Sequence, residues 1–531
     1  MMVAQESTRM PGKRQSVKLI EVEEKIRPNY MLRVLFLAGR SACPGRDGEP
    51  HGKILCGSKC GRHPAREPSH PLSNMSAKTA AVLSEACSNK SYAEYVNPQW
   101  VALLDLLSMN VEYERCSGCE LFTREGRRIL DFLSGYCVHN AGHNHPAIVK
   151  ALQQELQRMG PAMLQSHVPA IAGDLAERLC QRAGGGLTKA FFGSSGSEGV
   201  EAAIKFSRAT TNKPVIVYAE GSFHGLTAGS LSLMSDGFWR DGFGPLLQDT
   251  IGVPFGDIVA LEKVLEKGRC AAFIVEPVQA EAGIRVPSKA YLQAAEELCR
   301  ARGALFVLDE VQTGMYRTGT FLAAHQFGVQ PDLVVLAKAL SGGLMPVSAV
   351  LMTEKVYRSV YSSLKRAIVH TSTFSENSLS MRAGLATLEV LEQEQLGARA
   401  ARLGESFREK LRAELSRYEI VKEVRGVGML NGIEFRAPRK LALRALYEAF
   451  CRIHPAMFGQ VLVMRMFRER NILTQICGNN FMVLKAAPPL VVSEADLDEF
   501  AEAIRDVVEL ADSSISFWTE ALHLAKRAIN I

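Results

Sequence analysis

From about residue 185 to 355 the chain alternates short, wholly apolar runs with longer stretches whose apolar residues recur every three or four positions. Val215-Ile-Val-Tyr218, Ala272-Phe-Ile-Val275, Ala304-Leu-Phe-Val-Leu308 and Leu333-Val-Val-Leu336 are β-branched or bulky, and four or five residues long. Such runs predict strands covered on both faces. Between two of them, Tyr291, Leu292, Ala295, Leu298 and Cys299 keep helical spacing and Gly303 supplies a stop. Strand–helix–strand units build a mostly parallel α/β sheet, whose ligands sit at the carboxyl ends of the strands. Beyond about residue 390, charged helical patterns flank the apolar Val427-Gly-Met-Leu-Asn-Gly-Ile-Glu-Phe435. A smaller domain with a tail helix is expected over 391–531, joined by 89–155, with 156–390 as the large domain. Residues 1–88 mix basic residues with Pro, Gly, Ser and His without a period, which predicts a disordered extension.

Composition adds limits. In 531 residues, 47% are hydrophobic, enough to bury a large core. The net charge of +6 belongs to the extension: 14 Lys and Arg against 8 Asp and Glu fall in residues 1–88, and 48 of each sign follow. A basic face for nucleic acid is therefore not expected on the folded part. Twelve cysteines without a secretory leader fit reduced thiols and a cytoplasmic protein. The apolar segment 30–39 is far shorter than the roughly 20 residues a membrane span needs, and Arg33 interrupts it. Cys56, Cys60 and His63 lack a fourth ligand at sensible spacing, and Cys116-Ser-Gly-Cys119 reads as a hairpin, so no metal site is expected.

Three features carry chemistry. Phe192-Gly-Ser-Ser-Gly196-Ser197-Glu-Gly opens directly into a helical pattern, and a small-residue turn at a helix start lets backbone N–H groups approach a phosphate. Ser195 and Glu198 also match a capping box, the plainer explanation of the same residues. Asp309 ends one buried strand and Lys338 follows the next. Each alone could be a helix cap or a surface lysine, yet a desolvated lysine amine forms a Schiff base readily. Pyridoxal phosphate needs all three: a lysine for its aldehyde, a carboxylate for its ring nitrogen and a cradle for its phosphate.

From about residue 95 to 510 the chain also resembles the class III aminotransferases. The resemblance rests on Ile274-Val-Glu276-Pro-Val-Gln279-Ala-Glu281, Asp309-Glu-Val-Gln312-Thr-Gly314, Arg317-Thr-Gly319, Ala337-Lys338 and His370-Thr-Ser-Thr373-Phe-Ser375, in that order. It implies the fold-type I architecture of pyridoxal-phosphate-dependent transferases, a large domain with a mostly parallel sheet plus a smaller α+β domain. It further implies that Lys338 holds the cofactor aldehyde and shuttles the proton, that Asp309 pairs with the ring nitrogen and that Gln312 meets the ring hydroxyl. Phe223 would face the ring, and Gly196 with Ser197 would hold the phosphate. Thr373 would reach the phosphate of a neighbouring subunit, which implies a homodimer with shared active sites. Glu276, Glu281 and Tyr136 match pocket positions.

Departures from the family pattern bear on substrate. Leu226 stands where many relatives carry an Arg that grips a dicarboxylate, and Lys485 stands where a second carboxylate-binding Arg usually precedes Pro-Pro-Leu. Lys lacks the planar fork of Arg. A ping-pong aminotransferase is expected, taking an ω-type amine such as ornithine, a polyamine or an aliphatic amine and passing its nitrogen to a 2-oxo acid or aldehyde. An aminomutase or decarboxylase of the same fold, or a protein that binds the cofactor without catalysis, would keep the same constellation. A Met- and Phe-rich stretch at 457–467 reads as ordinary core or dimer packing before a pocket wall.

Overall fold

The computed structural model describes residues 89–453 and 457–529. The extension before Asn89, with Cys56, Cys60 and His63, lies outside them. A hairpin of β1 (Tyr113–Ser117) and β2 (Glu120–Thr123), turning through Gly118 and Cys119, continues into β3 (Arg128–Asp131).

The central sheet has seven strands: β4 (Leu187–Gly193), β5 (Val215–Ala219), β6 (Thr250–Val253), β7 (Cys270–Val275), β8 (Leu305–Asp309), β9 (Leu333–Leu336) and β10 (Ser348–Thr353). Their spatial order is β4-β10-β9-β8-β7-β5-β6, with β10 antiparallel to both neighbours and the other pairs parallel. Every residue of β5, β7, β8 and β9 is buried, because helices cover both faces; this is why these strands read as unbroken apolar runs. Helix Lys289–Arg302 is one cover. Ser288 caps it by accepting the Tyr291 N–H, Gly303 ends it at φ 60°, and Tyr291, Leu292, Ala295 and Cys299 face inward.

A second, antiparallel sheet runs β11-β12-β15-β14, from β11 (Val421–Val427), β12 (Leu430–Phe435), β14 (Gln475–Cys477) and β15 (Asn480–Ala486). Short β13 (Ile472–Leu473) pairs with β3, so residues 128–131 and 472–473 share one sheet. Helix Leu396–Leu415 packs on β11 and β12 with helix Glu494–Ser513 against it, and helix Met457–Arg470 packs on β13, β14 and β15 and joins helices Leu441–Ile453 and Ile515–Ile529 in a bundle. The Met- and Phe-rich stretch is the core of that bundle: Met457, Phe458, Met464, Met466 and Phe467 are buried, and Phe458 stacks on Trp518 with centroids 5.5 Å apart.

The β11–β12 turn is wedged tightly. A Cβ on Gly404 of helix Leu396–Leu415 would lie 1.8 Å from the Gly428 carbonyl oxygen. Gly404→Ala is expected to lose about 1–3 kcal/mol of stability, read as a lower Tm in thermal unfolding, because the clash is with backbone that no rotamer can move.

Candidate active site

The carboxyl ends of β7, β8 and β9 open onto one cavity of about 430 Å³. Glu276, Asp309 and Lys338 enter it from the ends of these neighbouring strands, and Gln312, Phe223, Gly196 and Ser197 complete its wall with Val138, His224 and Gly225. Lys338 sits at φ 46°, a left-handed conformation that costs a non-glycine residue energy and is found where surroundings impose it. Its Nζ donates to Gln312 Oε1 at 3.2 Å.

Asp309 is 4% exposed and holds both its oxygens in use. Oδ1 accepts the Val311 N–H at 3.0 Å, and Oδ2 lies 2.7 Å from His224 Nδ1. Burial disfavours charge on His224, but the bond to Asp309 and its negative charge outweigh burial and raise the imidazole pKa above its usual value. His224 and Asp309 therefore form a buried, hydrogen-bonded pair at the end of β8.

Glu276 accepts N–H bonds from Phe223 at 2.9 Å and Ala280 at 3.3 Å. Burial nevertheless pushes its carboxyl up to about 7, with Asp309 adding to the rise and His224 opposing it. The folded chain thus retains a proton that the unfolded chain loses near 4.5, and this group's share of stability falls as pH rises through 7. An infrared carboxylic-acid band absent from Glu276→Gln should vanish with a midpoint near 7; a midpoint near 4.5 would show a solvated carboxylate.

The other wall is the start of helix Gly196–Thr211. Ser195 Oγ caps it by accepting the Glu198 N–H, while the Glu198 carboxylate reaches back to the Ser194 N–H. A Cβ on Gly225, which has φ 119°, would lie 2.1 Å from Ser197 Oγ; the loop that carries Phe223 and His224 can approach the helix start only with glycine there.

Tyr136, Glu281 and Lys485 gather in a second cluster. Lys485 is wholly buried, its ammonium paired with the Glu281 carboxylate and 5.0 Å above the Tyr136 ring. The expected point charge for a substrate carboxylate is already neutralised by the protein. Burial opposes both charges, yet each partner outweighs it, holding Glu281 below and Lys485 above their ordinary pKa values. The cluster adjoins the cavity through Cys137, whose Sγ lies 3.9 Å from Gln312 Nε2, and through Val138.

Tyr136 rides on a left-handed turn, with Ser134, Gly135, Tyr136 and Cys137 at φ 47°, 60°, 61° and 68°. Three of these are not glycine, and each costs roughly 1–2 kcal/mol in that conformation. Asp131 Oδ1 holds the turn by accepting the N–H groups of Leu133 and Ser134, and Ser134 Oγ donates to the Ala487 carbonyl. Arg317, fully buried, donates to Ser134 Oγ, Asn140 Oδ1 and the carbonyls of Met429 and Pro488.

Besides Tyr136, Glu281 and Lys485, two further sequence-predicted residues lie off the cavity lining. Leu226 is 54% exposed, and Thr373 is exposed on a loop whose His370 ring packs 4.6 Å from Phe191. Three neighbours of the site carry no sequence signal strong enough to select them: His224, paired with Asp309, and Trp239 and Asn479, hydrogen-bonded to each other beside Phe223. His224 stands inside the Phe-His-Gly triplet, where its position next to Phe223 was the only clue. Among the described residues no group of three His, Cys, Asp or Glu is arranged to hold a metal, and no helix is long and apolar enough to cross a membrane.

The residues fit pyridoxal phosphate. The capped helix start suits a phosphate, Lys338 suits the aldehyde, and the His224-backed Asp309 suits a protonated ring nitrogen. His224 Nε2, buried at the cavity with no partner among the described residues, fits a bound polar ring beside it. Fold and cavity together define a pyridoxal-phosphate-dependent transferase of fold type I. The family described as aminotransferase class-III matches residues 105–508, and the chain belongs to that family.

Among curated relatives, the aminotransferase PigE of a Serratia species is 36% identical over 450 residues, covering 79% of this chain and 53% of that protein, so the chain spans about half of its length. Putrescine aminotransferase of Pectobacterium atrosepticum is 35% identical, covering 79% of this chain and 87% of that protein. Among solved structures, ornithine aminotransferase of Toxoplasma gondii has a TM-score of 0.68 at 28% identity, covering 81% of this chain and 94% of that one.

Proposed function

We propose that the chain transfers the amino group of a terminal, ω-type amine to a 2-oxo acid or aldehyde by a ping-pong reaction. The observation that carries this reading is the Glu281–Lys485 pair. A substrate that bears a carboxylate on its reacting carbon, as a 2-oxo acid acceptor does, would have to open that pair to find a cation in this cluster, whereas a donor amine on a CH₂ group leaves it closed. The names of the putrescine and ornithine aminotransferases that resemble the chain agree with an ω-amine.

When bound, pyridoxal phosphate supplies an aldehyde for the donor nitrogen and a ring that spreads the charge left by proton loss. The protein supplies the rest. The helix start at Gly196 and Ser197 anchors the phosphate and Phe223 covers the ring. Gln312 would meet the ring hydroxyl, and Asp309, hydrogen-bonded to His224, would hold the proton on the ring nitrogen. Lys338 Nζ would hold the cofactor aldehyde between turnovers and, during them, would move the proton as general base and acid. Thr373, exposed in the single chain, reaches the phosphate of a second subunit in a homodimer, and the enzyme works in the cytoplasm.

The test follows the cofactor absorbance of the purified enzyme against diamines, ornithine, alkylamines and α-amino acids, and then asks which oxo acid or aldehyde restores it. Terminal amines should bleach the signal and an acceptor should return it with one nitrogen transferred. Response to α-amino acids alone would sink the ω reading, and release of carbon dioxide without transfer would point to a decarboxylase.

A further inference from the structure

The segment between helices Glu354–Val360 and Ser378–Gln393 carries Thr373 at an exposed position and is fastened on both sides of it. After Thr373, the Ser372 carbonyl accepts from the Ser375 N–H and Oγ, the Ser378 N–H donates to the Ala162 carbonyl, and Asn377 caps the helix by accepting the Ser380 N–H. Before it, the fastening is His370. The imidazole packs on Phe191 of β4 and on Phe206 of helix Gly196–Thr211, with centroids 4.6 and 5.0 Å away, and the His370 carbonyl accepts the Tyr361 hydroxyl at 2.9 Å.

The ring also makes one polar contact within the chain: Lys205 Nζ lies 2.8 Å from His370 Nδ1. An ammonium can only donate, so Nδ1 accepts and the imidazole is uncharged, its proton on Nε2. Burial and the Lys205 charge hold its pKa below the usual value against the opposing pull of Glu198, which keeps the acceptor available at neutral pH. Lys205 stands roughly two and a half turns along the helix whose start is the phosphate cradle of its own chain. His370 thus ties the Thr373 segment to the helix that begins at the cradle.

We propose that His370 is a positioning residue: held by Lys205, Phe191 and Phe206, it seats residues 371–374 so that Thr373 presents its hydroxyl to the cofactor phosphate of a second copy of this chain. The proposal rests on the cross-subunit reading of Thr373 and adds the device that aims it. A segment already fixed loses little conformational entropy when its hydroxyl meets the phosphate, whereas a loose one loses much more. The same segment bares Leu364, Ile368 and Phe374, at 95%, 81% and 63% exposure, an apolar surface of the kind a second subunit covers.

The experiment titrates the cofactor-free, full-length enzyme with pyridoxal phosphate. Thr373→Val should raise the cofactor Kd by about tenfold or more, the worth of one hydrogen bond to a charged group. His370→Phe, which keeps a ring on Phe191 and Phe206 but removes the acceptor, should raise it severalfold, and His370→Asn, which restores an acceptor near Nδ1, should recover part of the loss. Combined with Thr373→Val, His370→Phe should add nothing, because it acts through Thr373. Lys205→Met, on an exposed side chain, gives the same test should the His370 variants fail to fold. Hybrid dimers then separate an action on the second subunit from one on the helix start of the same chain. When a Lys338→Ala subunit is paired with a His370→Phe subunit, the one working lysine lies in the latter and receives Thr373 from a subunit whose His370 is intact. The cofactor concentration for half-maximal activity should match that of a hybrid between Lys338→Ala and the parent. A value still raised as in the His370→Phe homodimer, or a Kd sensitive to Thr373→Val but not to His370→Phe or Lys205→Met, would overturn this inference alone. A Kd unmoved by Thr373→Val would overturn the cross-subunit reading and this inference with it.

Discussion

Lys338→Ala should retain cofactor yet transfer amino groups about 10⁴-fold more slowly, the upper range of what a positioned acid–base group contributes. Retention is expected because the anchoring groups, the helix start at Gly196 and the Asp309–His224 pair, are separate from the lysine. The loss is expected because Lys338 is the one amine on the cavity wall among the described residues, held just past β9 by a left-handed backbone within reach of Gln312. Lys338→Arg should fare no better, since a guanidinium neither forms the bond to an aldehyde nor gives up its proton near neutrality. A single-turnover experiment distinguishes this from a binding defect: the variant mixed with donor should bind it and then stall before proton transfer. Added methylamine, small enough to enter the space left by the side chain, should restore part of the rate. Full activity in Lys338→Ala would remove the lysine from the chemistry altogether.

What could be read from the chain and what could not divide along sequence distance. The central strands were legible because a strand buried on both faces leaves an unbroken apolar run, and β5, β7, β8 and β9 all do. Asp309 and Lys338 were legible for a related reason: parallel strands bring their carboxyl ends to one edge of the sheet, so residues just past two such runs become neighbours without further information. The helix start was legible because capping is a contact between residues three apart.

The pairings that tune the site span far longer stretches. His224 meets Asp309 across 85 residues, Glu281 meets Lys485 across 204 and Trp239 meets Asn479 across 240. No periodicity encodes such contacts. Lys485 shows the consequence. Its residue type indicated a cation near a pocket, but only the fold shows that β15 turns it into the protein and onto Glu281. The Met- and Phe-rich stretch was ambiguous for the same reason, and the aromatic partner that makes it core, Trp518, lies in the last helix.

Glu281→Gln should destabilise the protein by about 3–5 kcal/mol at neutral pH, because it leaves the wholly buried Lys485 ammonium without a counter-charge. The pH dependence has a definite sign. Glu281 is held below its ordinary 4.5, so its contribution is present above that value and is lost as pH falls through the lowered one. Lys485 is held above its ordinary 10.5, so its contribution persists below that value and is lost only as pH rises beyond it. The gap between parent and Glu281→Gln in denaturant unfolding should therefore be full from mildly acidic to neutral pH and shrink in strong acid. Lys485→Met combined with Glu281→Leu should recover much of the loss, since an apolar pair asks for no desolvation; equal damage in the single and double variants would show that packing, not charge, is at stake. The same substitution separates the two roles of the pair. With Glu281 neutral, the Lys485 charge is available to a carboxylate, so Glu281→Gln should lower KM for α-amino acids and 2-oxo acids while leaving KM for simple alkylamines nearly unchanged. An unchanged preference would mean that Lys485 stays closed to substrate even when unpaired, and that the donor range is set by the shape of the cavity and not by masked charge.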